Sequence, residues 1–229
     1  MKTLGLIGGM SWESTIEYYR LLNEMVKEKL GGWNSAKLLL YSVNFEEILP
    51  LQNEGKWNEI ATIMLDISKK LELAGSSAIL ICSNTMHKVA DEIEKQIQIP
   101  LIHVVDETAK VIKAKKFEKV GLLGTKFTME GGFYVERLTK KHNLRVLLPS
   151  QDDRNYIHNA IYNELAQSEF RKSTKKKFID IIDALSTQGA QGVILGCTEI
   201  PLLIKENDVK IQIFNTLTIH LKAGLEAID

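Results

Sequence analysis

The chain lacks several things that would settle its class at once. It has only two cysteines, Cys82 and Cys197, in 229 residues, so no disulfide framework is needed, and neither has a second Cys or His at zinc-ligand spacing; His87, five residues after Cys82, stands alone. No apolar run approaches the roughly 18 residues of a membrane span. The stretch behind Met1-Lys2-Thr3 ends at Gly8-Gly9, too short for a secretory core, so the cytoplasm is the expected location. Neither charge is in excess: 29 basic and 29 acidic residues cancel, which removes the global field that draws proteins to nucleic acid or anionic membrane. The one basic run, Lys175-Lys176-Lys177, has no interleaved aromatics and reads as a solvated helix face. The Gly8-Gly9 turn lacks the third glycine of a dinucleotide loop, no Gly-Lys-Ser/Thr occurs, and Asn44 rather than an acid follows the second apolar run.

What is present is an α/β pattern. With 45% hydrophobic and 25% charged residues, the composition is that of an ordinary folded protein, long enough for two lobes of about 100 residues. Short continuous apolar runs, the kind covered on both faces in a parallel sheet, recur at Leu4–Ile7, Leu38–Val43, Ala78–Ile81, Leu101–Val105, Val120–Leu123, Val146–Leu148, Val193–Leu195 and Ile211–Phe214. Helical patterns separate them, as at Ile60, Ile63, Met64, Ile67 and Leu71. Strands alternating with helices predict βαβ units and parallel sheets.

The pattern also repeats. Gly5-Leu6-Ile7-Gly8 returns as Gly121-Leu122-Leu123-Gly124, and the segment from Gly75 to Ile81 returns from Gly189 to Leu195, at offsets of 121 − 5 = 116 and 189 − 75 = 114. Paired motifs in the same order predict two duplicated, Rossmann-like lobes. We expect residues 1–100 plus 209–229 in the first lobe and 101–208 in the second, with the C-terminal strand and helix returning to the first and the site in the cleft between them. The repeat sets Cys82-Ser83-Asn84-Thr85 opposite Gly196-Cys197-Thr198-Glu199. Ser83, not Cys82, is therefore the counterpart of Cys197, and alternation along an extended strand end turns Cys82 toward the core.

Ligands of parallel α/β sheets bind at the carboxyl ends of strands, where the next helix presents free N–H groups. Four loops qualify: Gly8-Gly9-Met10-Ser11, Ser83-Asn84-Thr85, Gly124-Thr125 on to Thr128, and Cys197-Thr198-Glu199. Their backbone donors and small polar side chains suit a small carboxylate. A helix after Cys197 is expected to lower its thiol pKa from about 8.5 toward neutrality, although a lone cysteine is also a common core residue. His87 reads as a catalytic acid or as a capping histidine. Glu199 orients the thiol, binds an α-ammonium group, or is an ordinary first-turn acid. Gln52, after Pro50-Leu51 in an apparent loop, binds a carboxylate or faces water.

Taken together, Gly8-Gly9-Met10-Ser11-Trp12-Glu13-Ser14-Thr15, Asn84-Thr85-Met86-His87 and Gly196-Cys197-Thr198-Glu199 resemble the aspartate/glutamate racemase superfamily along the whole chain, most nearly its broad or acidic amino-acid racemases. The resemblance implies two pseudo-symmetric lobes, no pyridoxal phosphate or other cofactor, no metal, an amino-acid substrate and a homodimer. It implies two thiols on opposite faces of the substrate α-carbon, with Cys197 and Ser83 as catalytic residues here, and substrate contacts from Met10, Ser11, Gln52, Asn84, Thr85, Thr125, Thr198 and Glu199.

The sequence departs from that pattern twice. Ser83 stands where the family usually has its first cysteine, and serine is a poor base that can still donate a proton; an uneven pair running from L to D is the expectation. Phe45-Glu46-Glu47 stands where aspartate racemases carry an arginine, so a side-chain carboxylate would need Lys126 or Arg154. The alternatives are a one-thiol decarboxylase or hydantoin-type racemase on the same scaffold, or a weakly catalytic protein that binds small carboxylates.

Overall fold

The first apolar run becomes β1 (Leu4–Gly8), buried along its whole length in a computed structural model that describes residues 1–229. The chain continues through α1 (Trp12–Leu30), β2 (Leu38–Ser42), α2 (Phe45–Asn53), α3 (Trp57–Leu73), β3 (Ala78–Ile81), a 3₁₀ turn (Thr85–Val89) and α4 (Ala90–Glu94). The three strands pair in parallel in the order β2-β1-β3. One face of this sheet packs Ile7, Ile79 and Ile81 against Ile60, Met64 and Ile67 of α3 and Ile93 of α4.

A second sheet follows. The chain runs on through α5 (Val104–Ala114), β4 (Lys119–Gly124), α6 (Lys126–Glu130), α7 (Phe133–Glu136), β5 (Arg145–Leu147), α8 (Gln151–Asn163), α9 (Lys172–Thr187), β6 (Gly192–Gly196), α10 (Ile200–Leu203), β7 (Gln212–Asn215) and α11 (Thr216–Ile228). All four strands are parallel, in the order β5-β4-β6-β7. At the head of α5, Asp106 receives Arg137 Nε and Nη2, Lys141 Nζ and His142 Nε2, each at 2.7 Å. Burial alone would raise its carboxyl, but these donors outweigh burial and hold it well below the ordinary carboxylate range.

Residues Met1–His103 and His220–Asp229 form one compact unit, and Val104–Ile219 the other. The strand at the C-terminus therefore corrects the sequence expectation. β7 hydrogen-bonds to β6, with Gly192 opposite Gln212, so it stays in the second unit, and only the last ten residues join the first. There Gly224 lies so close to Leu80 that a Cβ would stand 2.8 Å from Leu80 Cδ1. The run at 101–105 is likewise no strand. It makes a single bridge, Leu101 to Ile79, and then turns into α5, whose apolar residues Val104, Val105, Ala109 and Ile112 face the core with helical spacing.

The repeat is legible in the hydrogen-bond register. Gly5 pairs with Ile79 in the first sheet and Gly121 with Val193 in the second. The same two offsets thus carry one sheet's central pair onto the other's, and Ser83 and Cys197 occupy equivalent places two residues past Ile81 and Leu195. The lysine run lies on α9, where Lys175 and Lys177 pair with Asp208 and Asp153 at 2.7 Å each.

Candidate active site

In the first unit, two neighbouring strand ends, those of β1 and β3, carry most of the expected residues. Behind β1, Gly9 has φ +90°, and a Cβ there would fall 2.2 Å from the Val43 carbonyl oxygen; only glycine fits this crossing of β1 and β2. Gly9 N–H then donates to Thr15 Oγ1 at 2.8 Å, and the Thr15 hydroxyl donates to the Ser11 carbonyl at 3.0 Å. Ser11 caps α1, accepting from Ser14 N–H at 3.3 Å, so its hydroxyl already has a structural task. Met10 beside it is buried.

Behind β3, the last ladder bond is Cys82 N–H to Ile7 O at 2.8 Å. Cys82 is wholly buried and desolvation pushes its thiol far up, which makes it an inert core residue. Ser83 is half-buried, Asn84 is buried and Thr85 half-buried at the head of the 3₁₀ turn. His87 on that turn sends Nδ1–H to the Ser83 carbonyl at 2.8 Å.

Gln52 is not in a loop. It lies in the last turn of α2 in spite of Pro50, whose missing N–H would have met the exposed Glu46 carbonyl, where water can substitute. Its side chain is buried, and its Nε2 has no hydrogen-bond partner. An orphan amide donor of this kind is costly unless a ligand completes it.

In the second unit, Gly124 and Gly196 are register partners at the ends of β4 and β6, and a Cβ on Gly124 would come within 3.0 Å of the Gly196 carbonyl. The loops they open therefore lie side by side. Thr125 caps α6, accepting Thr128 N–H at 3.3 Å, and Lys126 N–H donates to His158 Nδ1 at 3.3 Å. After Gly196, the Cys197 thiol donates to Glu199 Oε2 at 2.8 Å, and the Thr198 hydroxyl donates to the same oxygen at 2.8 Å. Thr198 and Glu199 are buried, Cys197 half-buried.

This pairing reverses the expectation for the thiol. The helix that was to acidify it, α10, is only four residues long and starts at Ile200. Desolvation, then the negative charge of Glu199 and its acceptance of the thiol proton, push Cys197 well above its ordinary value. Arg154 is also excluded as a spare cation. Its guanidinium is spent on Glu130 Oε1, the Pro149 carbonyl and Gln151 Oε1, at 2.7, 2.6 and 2.5 Å. Lys126 stays half-buried at the head of α6.

Residues 7–224 match the family model described as Asp/Glu/Hydantoin racemase. The chain belongs to that family. A solved Yersinia pestis structure assigned provisionally to the Asp/Glu racemases is 47% identical, with a TM-score of 0.95 and all of both chains covered. An aspartate racemase homologue from Pyrococcus horikoshii is 35% identical, with a TM-score of 0.89 and again full coverage. Among curated relatives, the broad-specificity amino-acid racemase RacX of Bacillus subtilis is 23% identical over 93% of this chain and 92% of its own. No helix of this racemase-family protein is long and apolar enough to cross a membrane.

Proposed function

We propose that this protein racemises an amino acid without a cofactor, Cys197 taking the α-proton of the L-enantiomer and Ser83, or a water it holds, protonating the opposite face. The observation that carries this reading is the 2.8 Å contact from the Cys197 thiol to Glu199 Oε2. A thiol that is hard to ionise is a strong base once ionised, and Glu199 is an acceptor already in place for its proton. In the forward step the S–H proton passes to Glu199, the Cα–H proton passes to sulfur, and the C–H electron pair enters the substrate carboxylate as an enediolate. In the second step the Ser83 hydroxyl, or a water it holds, gives a proton to the other face of Cα, and solvent returns a proton to the alkoxide or hydroxide left behind as Glu199 releases its own to solvent. Inversion needs two groups, because a single one returns the proton to the face it came from.

The equivalent register of β3 and β6 supports Ser83 as the second group. Backbone and side-chain donors at Met10, Ser11, Asn84, Thr85, Thr125 and Thr198 serve the substrate carboxylate, and the orphan Gln52 Nε2 adds a further donor. We assign acidic amino acids as the substrates, with Lys126 as the cation for the side-chain carboxylate, since Arg154 is committed elsewhere. Two unbridged cysteines suit a reducing cytoplasm. Trp12, Ile16 and Tyr19, an exposed apolar stripe with helical spacing on α1, suit a homodimer.

Chiral chromatography of L-aspartate, L-glutamate and the other common L-amino acids tests the reading. D-product from the native enzyme and none from Cys197→Ser supports it; equal D-product from both sinks it. A decarboxylase, for which one thiol is sufficient, would release carbon dioxide instead.

A further inference from the structure

The first unit buries four polar rings that the proposed reaction does not use: Tyr18, His87, His103 and His220, none more than 3% exposed. They touch in series. The His87 ring centroid lies 4.8 Å from that of His103 and 5.3 Å from that of His220. His220 Nε2 is 2.7 Å from the Ile102 carbonyl, and its Nδ1 is 2.8 Å from Tyr18 Oη. A carbonyl only accepts, so His220 carries its proton on Nε2 and takes the Tyr18 hydroxyl proton on Nδ1. By the same logic His87 carries a proton on Nδ1, where it meets the Ser83 carbonyl at 2.8 Å. The rings do not converge as metal ligands.

Their place in the chain gives the series its meaning. The chain leaves the first unit after His103 and returns to it at His220. The two rings against His87 are thus the last residue before the second unit and the first residue after it. Ser83 in turn lies outside the ladder, which ends at the Cys82 N–H. Beyond that bond the Ser83 carbonyl meets His87 Nδ1, and the next turn bond runs from His87 N–H to Asn84 O at 3.2 Å.

We propose that His87 is a positioning residue for Ser83: its Nδ1–H holds the Ser83 carbonyl while its ring rests on the two histidines at which the chain leaves and re-enters the unit. His87 does not touch substrate. It fixes the angle from which the Ser83 hydroxyl is presented, and a displacement of about 1 Å at such a group is enough to cost on the order of a hundredfold. The inference rests on Ser83 serving the face opposite Cys197.

The test follows L-substrate in deuterated water by chiral NMR, which separates two outputs. Deuterium gained with retention needs only the Cys197 face, whereas deuterium gained with inversion also needs Ser83. His87→Leu is expected to lower the inversion-to-retention ratio by about tenfold or more while total deuterium gain stays within about threefold. His87→Asn, whose amide N–H reaches for the same carbonyl, should recover most of the ratio. An unchanged ratio in His87→Leu, a parallel fall of both outputs, or no recovery in His87→Asn overturns the proposal. Should the leucine variant fail to fold, long-range ¹H–¹⁵N NMR of the native protein decides: the Nδ1–H tautomer at His87 is required, and the Nε2–H tautomer overturns the assignment. A native enzyme that exchanges no amino acid at all would instead sink the racemase reading and the positioning role with it, and the tautomer measurement would then decide only the hydrogen bond from His87 to the Ser83 carbonyl.

Discussion

Cys197 aims its thiol proton at Glu199 Oε2 across 2.8 Å, two residues along the same loop. The carboxylate both makes the thiol harder to ionise and receives its proton. Glu199→Gln should separate these effects. Turnover at neutral pH is expected to fall by about 10²-fold or more through loss of the acceptor, while the thiol pKa, relieved of a neighbouring charge, moves down toward its ordinary value. The pH dependence of iodoacetamide alkylation at Cys197 measures the second effect, and an unmoved or rising midpoint would refute the pairing.

Ser83→Cys would make the two faces alike. D-substrate, on which serine is a poor base, should then exchange its α-proton at least about tenfold faster, because a thiolate replaces a hydroxyl. Exchange of L-substrate should change little. The measurement is deuterium gain from each pure enantiomer, and an unaltered D-rate would place Ser83 outside the reaction.

Much of this arrangement is readable without coordinates. Short apolar runs mark β1, β3, β4 and β6, all but β3 ended by glycine, and the two repeat offsets set Ser83 opposite Cys197, a pairing that recurs in the sheet register. What the chain hides is tertiary. The run at 101–105 is as apolar as a strand, yet it makes only one bridge to β3 before its last two residues open α5. Pro50 signals a break in α2, but the Glu46 carbonyl that it leaves unbonded sits on an exposed residue. The direction of the Cys197 shift depends on where Glu199 Oε2 points, which spacing along the chain does not encode. The His87, His103 and His220 series is hidden for the same reason, because its members stand far apart in sequence, and only their rings' contact betrays it.

His220 makes stability sensitive to acid. Burial first, and then the nearby His87, lower its pKa to about 3, against the opposing pull of the Ile102 carbonyl. An unfolded histidine titrates near about 6.5. Between these values the unfolded chain binds a proton that the folded one refuses, so stability is full above about pH 6.5 and falls as pH drops toward about 3. Thermal melts of His220→Gln should show a shallower loss over that window. A slope equal to the native one would mean that other groups dominate.

Lys126→Ala should raise KM for aspartate or glutamate by about tenfold or more, the loss of one charged contact, and leave alanine or serine, if turned over, nearly unaffected. Steady-state kinetics on both classes provide the check. Equal losses on both would show that Lys126 supports the fold of its loop rather than substrate choice.

The bond from His220 Nε2 to the Ile102 carbonyl, at 2.7 Å, joins two points 118 residues apart in sequence, and Lys2 N–H meets the Ile228 carbonyl at 2.7 Å. The first unit therefore closes as a ring at both places, with the whole of Val104–Ile219 spliced in at the first and the two chain ends at the second. Along the chain, the second unit is an insert within the first. A circular permutant that links residue 229 to residue 1 and opens the chain in an exposed loop asks little of the backbone, whereas a cut between His103 and Val104 opens the ring at the junction that His220 closes.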